Sequence, residues 1–245
     1  MLSGLELLIS LIAVLVGATV MGTVSFGMGL VVAPILLLFL APQSVVVVVN
    51  SIILVLLSVV LFNTRRHLDL RQTWKLAVSG MVAAPVGVLA LSAANPTLLR
   101  VLIAVVILFL GALSLFNVRI PLARHRHAGF FFGFLTLLSV ATLSIGGPLA
   151  AIYVIAQNWS REAMRAALAF FFVTGYAVAF VLYAVVGLVD RESLLNAALL
   201  LPAVAAGFGL ATLLVRRLKE SVFRYVAIGV IITGSLVLLV REIAS

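Results

Sequence analysis

Two glycine-rich stretches carry the residue types in this sequence that could bind a small charged ligand. The first reads GTVSFGMGLVVAP from Gly22 to Pro34, and the second reads LSIGGPLAAIY from Leu143 to Tyr153. Glycine lets a ligand approach the backbone closely, and a helix that restarts after a break has N–H groups without partners in its own chain. Such N–H groups and the partial positive charge of a helix N-terminus favour an anion. Both stretches therefore predict anion binding by the backbone.

The candidate residues are the glycines, prolines and small hydroxyls of the two breaks, with a few other polar residues. As substrate-binding residues we expect Ser25, Gly27, Gly29, Asn50, Ser144, Gly146, Gly147 and Pro148, and along the substrate path Thr23, Pro34, Thr142 and Tyr153. Asn50 is included because an amide in hydrocarbon needs hydrogen-bond partners. The alternative interpretation is that the small residues only let helices pack closely and satisfy one another.

The elements that must position these residues are membrane-spanning helices. Of the 245 residues 65% are apolar and 9% are charged, whereas soluble domains have about 45–50% and about 25%. Apolar runs of about 20 residues cross a bilayer as helices. Six segments fit this length: Val45–Asn63, Thr73–Ala93, Thr97–Phe116, Ala166–Val189, Ser193–Val215 and Val222–Val240. The sequence predicts an all-α integral membrane protein.

The remaining apolar sequence forms two stretches, Leu5–Leu40 and Gly129–Gln157, each interrupted by its glycine-rich break. Split at the breaks, these stretches give pieces of roughly 12–18 residues, which is short for a full span. Short pieces of this kind are typical of broken or re-entrant helices. We therefore expect the first two segments of each half to be short.

The two halves of the chain resemble each other weakly. SFGMGL in residues 25–30 aligns with SIGGPL in residues 144–149, at a spacing of 119 residues. We predict two repeats of about five segments each, in residues 1–117 and 129–245, joined by a basic cytoplasmic linker in residues 118–128.

The basic residues predict the orientation in the membrane. If each broken hairpin returns to the side on which it started, 13 of the 16 Lys and Arg residues share one side, and Arg100, Arg191 and Arg241 lie on the other. The positive-inside rule places the larger group in the cytoplasm and both termini outside. An odd number of segments per half then inverts the second repeat relative to the first, as in many transporters. The net charge of +9 is explained by these loops, so no nucleic-acid partner is predicted.

The acidic residues and the missing motifs exclude several functions. All seven carboxylates fall at segment ends or in loops, whereas proton relays and cation sites usually use a carboxylate at membrane depth. This distribution favours an anionic or neutral substrate. Cysteine is absent, His125 and His127 lie in a basic loop without an acidic partner, and no P-loop or HExxH motif occurs. We expect no enzyme activity, no metal and no cofactor.

Two further groups of side chains have more than one interpretation. Arg161 and Arg165 flank the return from the second hairpin, and they either draw anions towards it or act as cytoplasmic topology signals. The topology interpretation is favoured. Thr174, Tyr176 and Tyr183 are polar residues of the eighth segment, and Tyr183 is interpreted as an interfacial anchor.

Both halves of the sequence resemble the sulfite exporter TauE/SafE family. The GTVSFGMGLVVAP stretch is similar to the N-terminal motif of that family, in which a glycine-rich turn leads into a helix with a later proline, as Pro34 follows Gly29 here. The stretch GGPLAAIYVIAQNWSREAMRAALAFFF, followed by LLPAVAAGFG, resembles the repeated half. Two departures stand out: GMG replaces an unbroken glycine run, and Asn50-Ser51 and Ala169-Phe170 stand where members often show Thr-Ser.

The resemblance implies a permease for small anions in the inner membrane of a bacterium, with both glycine-rich motifs lining the path. The expected substrates are sulfite, organosulfonates or related carboxylated anions, and we expect a secondary transporter that works by alternating access. The expected partners are this small anion and the lipid bilayer, and a homo-oligomer is left open. Two alternatives are a passive channel for a small anion or neutral solute and a membrane subunit that anchors a partner. The short loops argue against the anchor.

Overall fold

The protein is helical in the residues that the computed structural model describes, which are residues 1–24, 26–115, 123, 125 and 127–214. These residues form nine α-helices, one 3-10 turn (Arg65–His67) and no strand. The helices are α1 Gly4–Val24, α2 Met28–Leu36, α3 Pro42–Thr64, α4 Leu70–Ala93, α5 Pro96–Leu115, α6 Ala128–Leu143, α7 Gly147–Ala156, α8 Arg161–Val185 and α9 Arg191–Leu214.

Within the described part of the chain, five helices are long and apolar enough to cross a membrane, namely α1, α3, α4, α8 and α9. The last four of these correspond to expected spans, and the expected span Thr97–Phe116 corresponds to α5. The expected span Val222–Val240 lies outside the described residues. The chain is therefore a multi-pass helical membrane protein.

The first segment differs from the expectation of a short piece. α1 has 21 residues, enough for a full span. Its apolar run contains no proline, and a glycine inside a helix costs only about 1 kcal/mol, so the helix continues through Gly17 and Gly22. The break comes later, where Gly27 has φ 100°, a left-handed conformation that glycine adopts without strain. The other pieces are short, with 9 residues in α2, 16 in α6 and 10 in α7.

The N-termini of α4, α8 and α9 are capped by polar side chains. Asp69, Ser160 and Asp190 accept hydrogen bonds from first-turn N–H groups of α4, α8 and α9, at 2.9, 3.2 and 2.7 Å respectively. A cap of this kind contributes about 1 kcal/mol. The starts of α2 and α7 have no such cap, because their N-cap residues are Gly27 and Gly146. α3 and α6 also begin without a side-chain cap bond.

α1 packs along α9, and the two helices run parallel. The N–H of Leu2 donates to Asn196 Oδ1 at 3.0 Å near one end. Near the other end, a Cβ added to Gly22 would lie 2.5 Å from the Cβ of Ala211. Small residues at such a contact let two membrane helices approach closely.

α4 packs along α6 in the same parallel way. Gly129 of α6 lies beside Lys75 at one end, where an added Cβ would be 3.2 Å from the lysine Cβ. Further along, a Cβ on Gly87 of α4 would lie 2.7 Å from the Cβ of Ala141. The two breaks are thus each carried by a helix that lies against a partner from the other half of the chain.

α3 and α8 pack against each other and run antiparallel. Asn50 near the start of α3 bonds to Tyr183 near the end of α8, and Ile53 and Phe172 further along line the same cavity. Each of these two helices also contacts one of the parallel pairs, because α3 packs on α9 and α8 packs on α4. The antiparallel pair therefore lies between the two parallel pairs.

Candidate functional site

The two glycine-rich breaks contact each other directly. A Cβ added to Gly29 would lie 2.0 Å from the carbonyl oxygen of Ser144, and one added to Gly147 would lie 2.6 Å from the Cβ of Phe26. Real Cβ atoms do not come this close to a neighbour, so only glycine permits the contact. The break between α1 and α2 therefore rests on the break between α6 and α7, although the two lie in opposite halves of the chain.

A cavity of about 20 Å³ lies where the breaks meet, with room for about one water molecule. Five of the eight expected substrate-binding residues line it, namely Gly27, Gly29, Ser144, Gly146 and Gly147. The other lining residues are Met21, Phe26, Met28, Leu30, Ile53, Ile145, Phe172 and Tyr176. The structure thus brings the two motifs together at one place.

Two helix N-termini supply the polar groups of this cavity. α2 begins at Met28 and α7 begins at Gly147, and neither helix has a side-chain cap at its start. Backbone N–H groups in an uncapped first turn have no partner in their own helix and carry partial positive charge. None of the described lining residues is charged. A cavity without charged side chains at two helix N-termini suits a small anion.

The two prolines occupy different helix positions. Pro148 is the second residue of α7, where its missing N–H costs nothing. Because the N–H of Leu149 donates to Gly146 at 3.0 Å, α7 offers the cavity the N–H of Gly147. Pro34 is buried inside α2 and removes a helix hydrogen bond there. Neither proline is among the described residues that line the cavity.

Two small hydroxyl side chains at the second break form hydrogen bonds to the neighbouring helices α3 and α4. Ser144 has φ 59°, and its Oγ donates to the carbonyl of Val46 in α3 at 3.2 Å. Thr142 donates to the carbonyl of Gly87 in α4 at 3.1 Å and to its own helix at 2.9 Å. Thr142 does not line the cavity. Thr142 thus bonds to the backbone of two helices, and its role along the substrate path stays a prediction.

Asn50 supports the second break from α3 and does not line the cavity. Its side chain is 2% exposed, and Nδ2 donates to the carbonyl of Val140 at 3.1 Å and to the hydroxyl of Tyr183 at 2.9 Å. Tyr183 in turn donates to the carbonyl of Ala141 at 2.6 Å. Both amide protons of Asn50 are thus used inside the protein, where we expected a contact to substrate.

The interpretation of Tyr183 as an interfacial anchor is wrong. Its side chain is fully buried, and its hydroxyl lies in the network with Asn50 and Ala141. An anchor would instead place the hydroxyl at the membrane surface. Tyrosine is typical of membrane interfaces, but here α3 and α6 cover the face of α8 that carries Tyr183.

Arg165 contacts the end of α1, next to the first break. Its side chain is partly buried, and Nη2 donates to the carbonyl of Gly22 at 3.3 Å. Carbonyls in the last turn of a helix lack partners and carry partial negative charge. Arg161 is exposed. The structure therefore gives Arg165 a helix-end contact, which neither interpretation from the sequence included.

Three expected path or binding residues lie elsewhere or cannot be placed. Tyr153 is buried beside Phe132 and Trp159, with both ring centroids 6.2 Å from its own, and does not line the cavity. Ser25 lies outside the described residues, as does the side chain of Thr23. Roles for Ser25 and Thr23 stay predictions.

Sequence reasoning did not select the cavity residues of α3 and α8. Ile53 comes from α3, whereas Phe172 and Tyr176 come from one face of α8, with ring centroids 5.8 Å apart. Residues four apart on a helix lie on the same face, and Tyr176 is one of three polar residues, with Thr174 and Tyr183, in a mostly apolar run. This spacing is visible in the sequence, but helical periodicity does not show which neighbouring helix that face contacts.

Comparison with known proteins adds two matches. The model of the family described as Sulfite exporter TauE/SafE matches residues 9–238. A protein of Cupriavidus necator (strain ATCC 17699 / DSM 428 / KCTC 22496 / NCIMB 10442 / H16 / Stanier 337), named Probable sulfite/organosulfonate exporter TauE, is 32% identical over 237 residues, which cover 92% of this chain and 91% of the relative. No solved structure matches the chain.

Proposed function

Because the chain belongs to the sulfite exporter TauE/SafE family, whose members are membrane transporters and not enzymes, we propose that it is a secondary transporter of sulfite, an organosulfonate or a related small anion. The observation that carries this proposal is the meeting of two uncapped helix N-termini at one cavity without charged side chains. The name of the relative from Cupriavidus necator supports the substrate class. We place the protein in the inner membrane of a bacterium.

Helix directions support the proposed inverted repeat. If residues 1–117 and 129–245 are repeats, α3 is equivalent to α8, and these two run antiparallel. Each half also packs its fourth helix along the first helix of the other half, as α4 on α6 and α9 on α1. Exchanging the halves leaves this pattern of contacts unchanged. The linker in residues 118–128 lies largely outside the described residues.

The size of the cavity supports alternating access over a passive channel. The breaks touch through Gly29 and Ser144, and the space between them holds about one water molecule. A sulfur oxyanion is larger than a water molecule, so the breaks must separate to admit it. A carrier makes such a movement in every cycle, whereas a channel holds a continuous path open.

The substitution Gly29→Ala tests the site. We expect about a 5- to 150-fold loss of counterflow of labelled sulfite in proteoliposomes, because the added methyl would overlap the carbonyl oxygen of Ser144. Overpacking costs about 1–3 kcal/mol, and 1.4 kcal/mol corresponds to about tenfold in an equilibrium constant. Sulfoacetate and isethionate serve as the organosulfonate substrates in the same assay.

Gly209→Ala is the matched control. Gly209 also lies inside a helix, but a Cβ there meets no atom within 4 Å, so counterflow should stay at the unsubstituted level. Equal counterflow by both variants would remove the cavity as the site. Absence of saturable counterflow with sulfite and both sulfonates in the unsubstituted protein would contradict the transporter proposal itself.

A further inference from the structure

Tyr176 places a phenolic hydroxyl among the groups of the cavity. Its side chain is 3% exposed and lines the cavity together with Phe172 of the same helix. Within the described part of the chain, the Tyr176 hydroxyl neither donates nor accepts a hydrogen bond. By contrast, Tyr183, two turns along α8, uses its hydroxyl as donor to Ala141 and as acceptor from Asn50. One tyrosine of α8 is therefore hydrogen-bonded within the protein, whereas the other has no hydrogen-bond partner among the described residues.

The remaining lining side chains cannot replace this donor. Ser144 is the other described lining residue with a polar side chain, and its hydroxyl proton is directed to the carbonyl of Val46 at 3.2 Å. The rest of the described lining is apolar or glycine. A hydroxyl kept without a partner in an apolar site costs free energy, and a ligand with acceptor oxygens repays that cost.

We propose that the Tyr176 hydroxyl donates a hydrogen bond to the bound anion, beside the backbone N–H groups of α2 and α7. This inference rests on the proposed function, because it assigns a contact within the same cavity. A hydroxyl donor recognises an oxyanion through a charge-assisted hydrogen bond, which is stronger than a bond between neutral groups. Phe26, Ile53 and Phe172 line the same cavity, and an apolar surrounding strengthens a hydrogen bond further.

The substitution Tyr176→Phe tests the assignment, because it removes the hydroxyl and keeps the ring. In purified protein, we expect the Kd for sulfite, measured by calorimetry, to rise about tenfold, which is about 1.4 kcal/mol. The midpoint of thermal unfolding without ligand should stay unchanged, because the hydroxyl has no hydrogen-bond partner in the part of the chain that the structure describes. Sulfoacetate should show a weakening in the same direction.

Two variants of α8 act as controls. Thr174→Val removes a hydroxyl that bonds within its own helix at 2.9 Å, and it should leave the Kd unchanged. Tyr183→Phe removes a hydroxyl with two partners, so it should lower the unfolding midpoint without ligand. These variants separate loss of a ligand contact from loss of a hydroxyl in general.

The possible outcomes distinguish the inference from the proposed function. An unchanged Kd in Tyr176→Phe would overturn the inference and leave the transporter proposal standing. A fall in the unfolding midpoint as large as that of Tyr183→Phe would also overturn it, because the hydroxyl would then have a structural partner. If neither sulfite nor sulfoacetate binds the unsubstituted protein, both the proposed function and the inference fail.

Discussion

Buried polar side chains in this protein satisfy backbone carbonyls near the ends of the broken helices. Asn50 and Tyr183 hold the carbonyls of Val140 and Ala141 at the end of α6, and Arg165 holds the carbonyl of Gly22 at the end of α1. In hydrocarbon no water can take this place, and an unsatisfied backbone group costs several kcal/mol. At the residue scale, the polar side chains therefore bond to carbonyls at the end of the helix before each break. The N–H groups at the start of the helix after each break remain for the cavity.

Tyr183→Phe should lower the free energy of unfolding by about 1–2 kcal/mol. The substitution leaves the carbonyl of Ala141 and one amide proton of Asn50 without the partner that each has now. The measurement is reversible unfolding in mixed detergent micelles. The double variant with Asn50→Leu should lose less free energy of unfolding than the two single variants together. The reason is that the double variant has no Asn50 amide left without its hydrogen-bond partner.

Ser51→Ala provides the comparison for this network. Among the described residues its hydroxyl bonds to Val47 alone, within its own helix, at 2.7 Å, so its removal should change the free energy of unfolding by less than about 0.5 kcal/mol. Strict additivity of Tyr183→Phe and Asn50→Leu would show that the two side chains act independently, against the geometry.

The glycines of the site could be predicted from the sequence, whereas the partners of Asn50 could not. A glycine run beside a proline breaks a helix through local backbone preferences, which are visible in the residues themselves. The bonds of Asn50 reach residues 90 and 133 positions away. The packing of the helices decides which carbonyl or hydroxyl accepts from that amide. A single sequence does not show how the helices pack.

At the scale of helices, glycine forms the contact surfaces that hold the two halves together. A Cβ on Gly207 of α9 would lie 2.5 Å from the carbonyl oxygen of Leu15 in α1, and one on Gly133 of α6 would lie 2.5 Å from that of Leu76 in α4. Both pairs of parallel helices thus approach to backbone contact. Close backbone approach takes the place of the hydrophobic effect, which lipid does not supply between membrane helices.

Gly207→Ala should lower the free energy of unfolding by about 1–3 kcal/mol, because the methyl forces α9 away from α1. Gly209→Ala, two residues along the same helix, meets open space and should be neutral or raise stability by up to about 1 kcal/mol through helix propensity. Unfolding of both variants in mixed micelles makes the comparison. Equal stability of the two would mean that α1 and α9 do not pack as closely as described.

The helices themselves were largely predictable, and the exception has a physical reason. The spans of α3, α4, α8 and α9 follow from apolar length, and the caps Asp69 and Ser160 mark two of their starts. α1 was expected to be short because Gly22 belongs to the glycine-rich stretch. One glycine does not stop an apolar helix, whereas the left-handed Gly27 does.

At the scale of the whole molecule, the arrangement of helices explains how two distant motifs reach one cavity. α1 and α6 enter from opposite ends in the proposed topology, and each stops at its break instead of passing the other. The central pair α3 and α8 completes the cavity with Ile53, Phe172 and Tyr176. The site therefore needs both halves of the chain, and a single half would expose uncapped helix ends to lipid.

Cysteine labelling tests the proposed inversion of the two halves. His67, between α3 and α4, and Val186, between α8 and α9, lie in equivalent loops, and both are exposed. Because the chain contains no cysteine, His67→Cys and Val186→Cys each introduce a single labelling site. A membrane-impermeant maleimide added to intact cells should label position 186 and not position 67, whereas both should react in permeabilised cells.

The positive-inside count puts the loop around position 67 in the cytoplasm, and inversion puts the equivalent loop outside. Labelling of both positions from the same side would mean that equivalent loops share a side, which two repeats related by inversion cannot produce.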